Sequence, residues 1–453
     1  MSDILNKTKN IENFNEKIKD SYKPLSPELY NKYNVMRGLR HKDGTGVMAG
    51  LTAIGDVKGY IIEDNEKVAC EGRLRYRGVD VRDIVDGCRK DGRFGFEEVA
   101  FLLLAGFLPN RSQYDAFREL LGSSRELPER FNEDMIMKAP SSNVMNKLAR
   151  CVLASYSYDS NPDDTSFSNI LRQSIELIAR FPTMVAYGYQ TKRHYHDGDS
   201  LYIHNPQKDL STAENILYMI RRDNQYTELE AQILDLSLIL HAEHGGGNNS
   251  AFATRVLSSS GTDTYSAIAA AVGSLKGPKH GGANQRVMGM IEDFKQSISD
   301  INDESQVRDH IVKILKKESY DRSGLVYGMG HAIYTLSDPR EVLLKEKARE
   351  LAEKKGMMEE FMLYDLIQKN TPELFAQVKG DSKVMCANVD MYSGFVYKML
   401  GIPQELYTPL FAVSRIVGWC AHRIEEITTN NKIVRPAYKS VVVSQNYVPM
   451  DER

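Results

Sequence analysis

The sequence is poor in the features that mark several broad classes of protein. Its five cysteines are scattered and form no CxxC pair, which argues against a disulfide framework and a cysteine zinc site. The formal net charge of −3 gives no general attraction to nucleic acid or to a membrane surface. No apolar run approaches the roughly eighteen residues that a membrane helix needs. We therefore expect neither nucleic acid nor membrane as a partner.

Common nucleotide-binding and targeting signatures are missing too. Neither GxGxxG nor GxxxxGKS/T occurs, and strands do not alternate with helices as in a Rossmann fold. The N-terminal residues mix acids with lysines and lack the apolar stretch of a secretory signal. Since reduced thiols are the simplest interpretation of the scattered cysteines, we expect a cytoplasmic protein.

Helical periodicity dominates what the chain does contain. Residues 1–45 are polar and predict a helical or partly ordered leader, and after Gly78 almost every segment is typical of helix. Between them, Leu51–Ile54 and Tyr60–Ile62 are short β-like pieces interrupted by glycines, which predict small hairpins. The expected fold is mainly α, with a small β portion near the N-terminus.

Several helix starts can be placed from local chemistry. Thr227 and Glu230 form a capping box that opens a helix with two histidines at its C-terminal end. Asp338-Pro339 predicts a second start, with aspartate as the cap and proline at the first helical position. Thr371-Pro372 predicts a third start in the same way.

Three segments place an ionisable side chain beside glycines, where a ligand can approach the backbone. They contain His241 and His244 (HAEHGGGNNS), His331 (GMGHAIYTLSDPR) and Asp390 (NVDMYSG). His241 and His244 lie on one helix face and could hold a metal, although HxEH is not the zincin order and no third ligand is obvious. A histidine at a helix end can also simply complement the helix dipole.

The other two segments each allow two interpretations. The glycines of Gly324–Gly330, before His331, suit either a tight turn or a loop whose backbone contacts a nucleotide. Asp390, if half-buried and unpaired, would have a raised pKa and could act as a base. It could instead cap a helix that begins near Tyr392.

Two arginines stand in unusual places. Arg340 falls at the start of the helix capped by Asp338, where a bound anion or a neighbouring acid would relieve its conflict with the helix dipole. Arg415 lies in the largely apolar stretch Pro409–Ala421 and needs either a structural acid or an anionic substrate as its partner. Arg435 has no such distinguishing feature of its own.

Together and in this order, these segments resemble the citrate synthase family. The resemblance covers roughly residues 45–440, and its motifs include GRLRYRG (72–78), HAEHGGGNNS (241–250), GPKHGGAN (277–284), GMGHAIYTLSDPR (328–340), NVDMYSG (388–394), FAVSR (411–415) and RP (435–436). It implies a two-domain, multi-helical fold. Residues 1–245 and 400–453 would form a large, dimer-forming domain, and residues 246–399 a small domain carrying much of the coenzyme A (CoA) site.

The resemblance also implies an acyltransferase that condenses acetyl-CoA with oxaloacetate and water to give citrate and CoA. Asp390 would be the base, His244 would hydrogen-bond the thioester oxygen as the enolate develops, and His331 would polarise and protonate the keto group. No metal and no cofactor are implied, because the CoA thioester is itself a substrate.

Binding residues follow from the same resemblance. Arg340 and Arg415 would hold the carboxylates of oxaloacetate, and Arg435 would reach the neighbouring active site of a homodimer. The CoA-binding residues would be those of the glycine-rich loop, namely Leu325, Val326, Tyr327, Gly328, Met329 and Gly330.

Two positions depart from the family pattern. Many relatives carry Arg or Lys, which helps to hold the CoA phosphate, where this chain has Thr335. The further histidine that relatives place on oxaloacetate has His204 as its nearest candidate, but Thr212 or Glu214 could occupy that position. Three alternatives stay open: a 2-methylcitrate synthase that uses propionyl-CoA, a non-catalytic CoA-binding helical paralogue, and a histidine metalloprotein.

Overall fold

The structure is a computed structural model that describes residues 2–19, 22–41, 44–63, 66–380, 384–429 and 432–453. It contains two compact units, residues 1–50 and residues 51–453. The first unit contains helices α1 (Ser2–Lys19) and α2 (Pro27–Lys32) and a short 3₁₀ turn at Arg37–Leu39. The predicted helical leader is therefore confirmed over α1.

The second unit opens with a small antiparallel sheet. Strands β1 (Gly55–Glu63), β2 (Glu66–Tyr76) and β3 (Val79–Asp80) are hydrogen-bonded in that order. The register of β1 on β2 shifts between Lys58 and Tyr60, so Gly59 sits at a bulge. The predicted hairpin is confirmed around Tyr60–Ile62.

The β-like piece Leu51–Ile54 is not a strand. The Ile54 amide donates to Thr52 Oγ1 (3.1 Å), and the Ala53 amide donates to the carboxylate of Glu425 (2.7 Å). Side chains therefore satisfy backbone groups that a strand would have paired with a neighbour.

The rest of the described unit is mainly helical. Its first α-helices are α3 (Val81–Lys90), α4 (Phe96–Ala105), α5 (Arg111–Ser123), α6 (Val144–Ser155), α7 (Phe167–Asp197), α8 (Thr212–Ile220), α9 (Glu228–His241) and α10 (Asn249–Ser258). They are followed by α11 (Thr264–Lys276), α12 (Ala283–Ser297), α13 (Glu304–Leu315), α14 (Pro339–Lys355), α15 (Met358–Lys379), α16 (Asp390–Met399) and α17 (Tyr407–Thr429). Short 3₁₀ or π turns lie at Asn132–Met137, Tyr156–Tyr158, Gln404–Leu406 and Met450–Glu452. The expected mainly α fold with a small β portion is confirmed.

Helix α17 runs through the core of this unit. It packs against α7, α9, α10 and α11, and Trp419 on it is completely buried. The indole Nε1–H donates to Ser250 Oγ (3.0 Å), which satisfies the one polar atom of the ring. Arg415 lies one turn earlier on the same helix and is buried as well.

Local signals place two of the three predicted helix starts correctly. The capping box of α9 is confirmed, because Thr227 Oγ1 accepts from the Glu230 amide (3.3 Å) and Glu230 accepts from the Thr227 amide (3.0 Å). Asp338-Pro339 opens α14 as predicted. The start at Thr371-Pro372 is wrong, since α15 continues through both residues. Thr371 is buried there, so packing holds the helix together although Pro372 donates no hydrogen bond.

Among the described helices, none combines the length and the apolar character needed to cross a bilayer. The division into a large domain (1–245 and 400–453) and a small domain (246–399) stays a prediction.

Candidate active site

Helix α9 ends at the buried His241, and a second buried histidine, His244, follows outside the helix. The prediction that both histidines share one helix face is therefore wrong. His241 Nδ1 donates to the Ser237 carbonyl oxygen (2.8 Å), so this ring carries its proton on Nδ1. The chain then turns at Gly245 (φ +84°), and His244 before it is 8% exposed. Burial, reinforced by the charge of Arg340, lowers the pKa of both rings, that of His241 to about 3 and that of His244 well below its ordinary value. Both imidazoles are therefore neutral at pH 7.

His331 lies beside His244, with ring centroids 5.2 Å apart. Its Nδ1 accepts hydrogen bonds from the amides of Ile333 (3.0 Å) and Tyr334 (3.1 Å). A nitrogen that accepts two amide hydrogens carries none of its own, so in the neutral ring the proton sits on Nε2. His331 therefore offers an Nε2–H donor.

Arg340 is buried at the start of α14 and is paired with its own capping residue. Its Nε and Nη2 donate to Asp338 Oδ1 (3.0 Å) and Oδ2 (2.7 Å). Asp338 also accepts from the Arg340 and Val389 amides, so it joins the starts of α14 and α16. Burial lowers the pKa of Arg340, but the Asp338 carboxylate more than offsets this effect and the pKa is raised. A neighbouring acid, one of the two predicted alternatives, thus relieves the conflict with the helix dipole.

Arg415 is 1% exposed, and two of its donors lack partners in the described part of the chain. Its Nε donates to the His241 carbonyl oxygen (2.6 Å), while Nη1 and Nη2 have no hydrogen-bond partner among the described residues. Burial lowers the pKa of Arg415 to about 10, and the charge of Glu243 is the largest effect opposing that shift. Buried donors without acceptors are costly, which points to a ligand that accepts hydrogen bonds here.

Asp390 is the first residue of α16, and its amide donates to Asn388 Oδ1 (3.0 Å). The side chain is half-buried. Burial raises the pKa of Asp390 to about 6, although Arg340 and Arg415 act in the opposite direction. The helix thus begins at Asp390 rather than near Tyr392. The raised pKa of the Asp390 carboxylate suits a base near neutral pH.

The glycine-rich loop is bonded to the segment that leads into Asp390. Gly328 and Gly330 have φ of +82° and +84°, a left-handed conformation that favours glycine. The Gly328 carbonyl accepts from the Asn388 amide (2.9 Å), and the Gly330 amide donates to the Cys386 carbonyl (2.8 Å). These angles confirm the tight-turn interpretation of the glycines, and the CoA contact stays a prediction.

The β1–β2 hairpin packs against the loop that precedes α14. A Cβ on Gly59 would lie 2.5 Å from Tyr334 Cα, and one on Gly72 would lie 2.8 Å from Tyr334 Cδ1. Thr335 Oγ1 donates to the Gly59 carbonyl, and the Gly72 amide donates to Ser337 Oγ (3.2 Å). Only glycine allows this close approach, so the hairpin fixes the position of the loop.

Five of the predicted side chains are therefore gathered in one region. The charges of Arg340 and Arg415 both act on His244 and on Asp390, and His331 lies against His244. A cluster of two cations, two imidazoles and one carboxylate can bind a dicarboxylate and move protons beside it.

The structure does not bring His204 and Arg435 into this cluster. His204 is half-buried with its ring 5.9 Å from that of Tyr218, and Arg435 is exposed in the segment after α17. Within the described residues, no contact joins either side chain to His244, Arg340 or Arg415. Both assignments stay predictions.

A metal site is not formed at the α9 histidines in the described part of the chain. There, no group of three or more His, Cys, Asp or Glu side chains is arranged to hold a metal ion. Nδ1 of His241 is also occupied as a donor to a carbonyl.

Known proteins provide the decisive comparison. A family profile described as "Citrate synthase, C-terminal domain" matches residues 41–437, most of the chain. The chain belongs to the citrate synthase family. Relatives include a citrate synthase of Synechocystis sp., 33% identical over 387 residues that cover 84% of this chain and 89% of the relative. A 2-methylcitrate synthase of Shewanella oneidensis is 33% identical over 382 residues, covering 84% and 92%.

Solved structures agree with this family. Citrate synthase from Pyrobaculum aerophilum superposes with a TM-score of 0.72 at 30% identity, covering 90% of this chain and 94% of that one. Citrate synthase from Thermoplasma acidophilum, solved with carboxymethyl-CoA and oxaloacetate, gives 0.72 at 25% identity, covering 89% and 97%. The predicted family and enzyme class are thereby confirmed, while the roles of individual residues stay predictions.

His280 had no predicted role, although it lies in the motif GPKHGGAN. His280 lies in the turn before α12, with Nε2 3.0 Å from Ser250 Oγ. Burial, followed by the charge of Arg415, lowers the pKa of His280 to about 4, so this ring is neutral as well. A histidine set among glycines is the same signal that singled out His244 and His331.

Proposed function

We propose that this protein condenses acetyl-CoA with oxaloacetate and water to give citrate and CoA. The observation that carries the proposal is the gathering of His244, His331 and Asp390 around two buried arginines. A purely structural role would not require two imidazoles, a carboxylate with a pKa of about 6 and an arginine whose Nη donors have no partner among the described residues, all in one place.

Oxaloacetate would be held by its two carboxylates. Arg415 offers Nη1 and Nη2, which lack partners among the described residues, and Arg340 stands close enough for its charge to act on the same histidine. Guanidinium groups pair bidentately with carboxylates, and in a buried site each such hydrogen bond is stronger than in water. The keto group would then lie near His331.

Proton transfer follows from the protonation states. Asp390, ionised above about pH 6, would remove a methyl proton of acetyl-CoA. His244, or the alternative His280, would donate to the thioester oxygen, which becomes negative as the enolate forms. The new carbanion carbon would attack the keto carbon, and His331 Nε2 would give its proton to the keto oxygen. Water would then hydrolyse the resulting citryl-CoA-type thioester.

His280 is a second candidate for the thioester oxygen. The charges of both Arg340 and Arg415 act on His244, whereas only that of Arg415 is prominent at His280. A ring on which the charges of two carboxylate-binding arginines both act is well placed to contact oxaloacetate itself, which favours His280 as the donor on the acetyl-CoA side.

Kinetics of His244→Gln and His280→Gln would separate the two assignments. The variant that has lost the thioester donor should keep its KM for oxaloacetate and lose kcat by about 100-fold. The variant that has lost an oxaloacetate ligand should show a raised KM for oxaloacetate. Equal effects of both substitutions on both constants would contradict the division of roles.

A homodimer with Arg435 reaching the neighbouring site completes the proposal. The segment after α17 exposes large apolar side chains that an isolated chain leaves in water, namely Ile433, Tyr438, Val442, Val443, Tyr447 and Met450. Such a surface is typical of a segment that packs against another molecule. We further propose closure of the small domain (246–399) over the substrates, a cytoplasmic location, and no cofactor beyond the CoA thioester, with the loop Leu325–Gly330 contacting CoA.

The direct test is thiol release from acetyl-CoA in the presence of oxaloacetate. Wild-type protein should release CoA, and Asp390→Ala should lose at least ~100-fold in kcat because the base is gone. Asp309→Asn, which changes an exposed aspartate on α13, is the matched control and should keep full activity. Absence of thiol release by the wild type with any keto acid would refute the proposal.

A 2-methylcitrate synthase is the second candidate, because the relative from Shewanella oneidensis with that name is as similar as the citrate synthase of Synechocystis sp.. Comparison of kcat/KM for acetyl-CoA and propionyl-CoA would decide between them. A non-catalytic CoA-binding role would instead give thermal stabilisation by CoA without turnover.

A further inference from the structure

Tyr334 lies in the loop before α14, and its side chain contacts both His244 and His331. It is 2% exposed, and its ring lies 4.6 Å from that of His331 and 5.5 Å from that of His244, measured between centroids. Its hydroxyl oxygen is 3.2 Å from His244 Nε2. No role for this residue could be predicted from local motifs, since its contact with His244 spans 90 positions.

The direction of this hydrogen bond follows from what each atom can do. A buried phenol O–H must donate its one hydrogen, and within the described residues its hydrogen-bond partner is His244 Nε2. Burial raises the pKa of Tyr334, so the phenol keeps that hydrogen at pH 7. Nε2 of His244 must therefore be the acceptor, and the single proton of the neutral ring is left on Nδ1.

We propose that Tyr334 is a positioning residue that fixes His244 as the Nδ1–H tautomer, so that Nδ1 is the nitrogen that donates to the ligand. The backbone around Tyr334 is well suited to this task. Gly59 and Gly72 of the hairpin leave room for its Cα and ring, and Thr335 next to it donates to the Gly59 carbonyl. The phenol is thus held in place by a β-hairpin rather than by a mobile loop.

For catalysis, the inference rests on the proposed function. A histidine that must stabilise a developing oxyanion, or bind oxaloacetate, has to present N–H and not a lone pair. Without the phenol, His244 could place its proton on Nε2 and present the lone pair of Nδ1 to the substrate. The fraction of molecules in the wrong tautomer would then be unproductive.

The test combines nitrogen NMR with kinetics on Tyr334→Phe. Protein labelled with ¹⁵N in its ten histidines gives separate signals for protonated and unprotonated ring nitrogens, and a His244→Gln spectrum assigns those of His244 by difference. Tyr364→Phe is the matched control, because Tyr364 is also a buried phenol, bonded to Met288 Sδ (3.4 Å) outside the site.

Wild-type His244 should show a protonated Nδ1 and an unprotonated Nε2. In Tyr334→Phe these signals should move towards the other tautomer, and kcat should fall about tenfold, the factor expected for one lost orienting hydrogen bond. The control should change neither quantity.

A protonated Nε2 on His244 of the wild type would overturn the proposal, and so would unchanged His244 signals in Tyr334→Phe. The spectrum of the wild type tests the tautomer even if Tyr334→Phe fails to fold. It also remains informative if the wild type has no condensation activity, a result that would refute only the proposed function.

Discussion

The substitution Asp390→Asn should make the protein more stable at pH 8 while removing its activity. Asp390 is half-buried, and burial raises its pKa to about 6 from the ordinary 3.8. Ionising it in the folded protein therefore costs more than ionising it in the unfolded chain. Asparagine has a similar shape and no charge, so the substitution removes this cost together with the base.

The sign and size follow from linkage. Below about pH 4 the carboxyl group is protonated in both states, and its raised pKa costs nothing. The cost grows as the pH rises from about 4 to 6 and is complete above that. A shift of about two units corresponds to ~3 kcal/mol, which partial exposure reduces to roughly 2 kcal/mol. For a chain of 453 residues that unfolds with an entropy of roughly 1 kcal/mol/K, Tm should rise by about 2 °C at pH 8.

Calorimetry of wild type and Asp390→Asn at pH 8 and pH 4.5, at equal protein concentration, measures this difference. The gain should be present at pH 8 and mostly lost at pH 4.5, and thiol release should fall by at least ~100-fold. Asp309→Asn, at an exposed aspartate, should show no such pH-dependent gain. A variant no more stable than wild type at pH 8, or equally stabilised at both pH values, would refute the reasoning.

Three further outcomes follow from the same contacts. Because the pKa of Asp390 is about 6, kcat/KM for acetyl-CoA should fall tenfold per pH unit well below that value, and a flat profile down to pH 5 would contradict its role as base. Arg415→Lys should raise the oxaloacetate KM at least ~tenfold, because lysine cannot replace two parallel Nη donors, whereas Arg349→Lys at an exposed site should leave it unchanged. Gly72→Ala should lower the free energy of unfolding by about 2 kcal/mol and reduce kcat, because the added Cβ would press on the loop before α14. In the same urea unfolding experiment, Gly87→Ala in α3 should be neutral or stabilising, because open space surrounds Gly87.

Features encoded by neighbouring residues could be predicted from the sequence. The capping box at Thr227 and the cap at Asp338 each depend on groups within three positions, and both are present. The start at Thr371-Pro372 failed for the opposite reason. There the same local chemistry is overridden by burial of the helix on both sides of the proline, which depends on distant parts of the chain.

For the candidate site too, local features could be predicted from the sequence and long-range contacts could not. Motifs identified His244, His331 and Asp390 because each stands among glycines in a short segment. The contacts that set their chemistry were not predictable, because they join distant positions. The phenol of Tyr334 meets His244 across 90 residues, and Glu243, the main counter-charge opposing the effect of burial on Arg415, acts on it from the segment that follows α9.

The glycines of the hairpin have a consequence for engineering acyl preference. The β1–β2 hairpin and the loop before α14 fit together only because Gly59 and Gly72 carry no side chain. The two segments therefore form one structural unit. A loop taken from a relative with another acyl preference would pack against a hairpin that it does not fit. The residue equivalent to Tyr334 would then be displaced from the histidine that it positions. Grafting both segments together should transfer the geometry intact, whereas grafting the loop alone should yield a folded protein with a poorly aligned histidine.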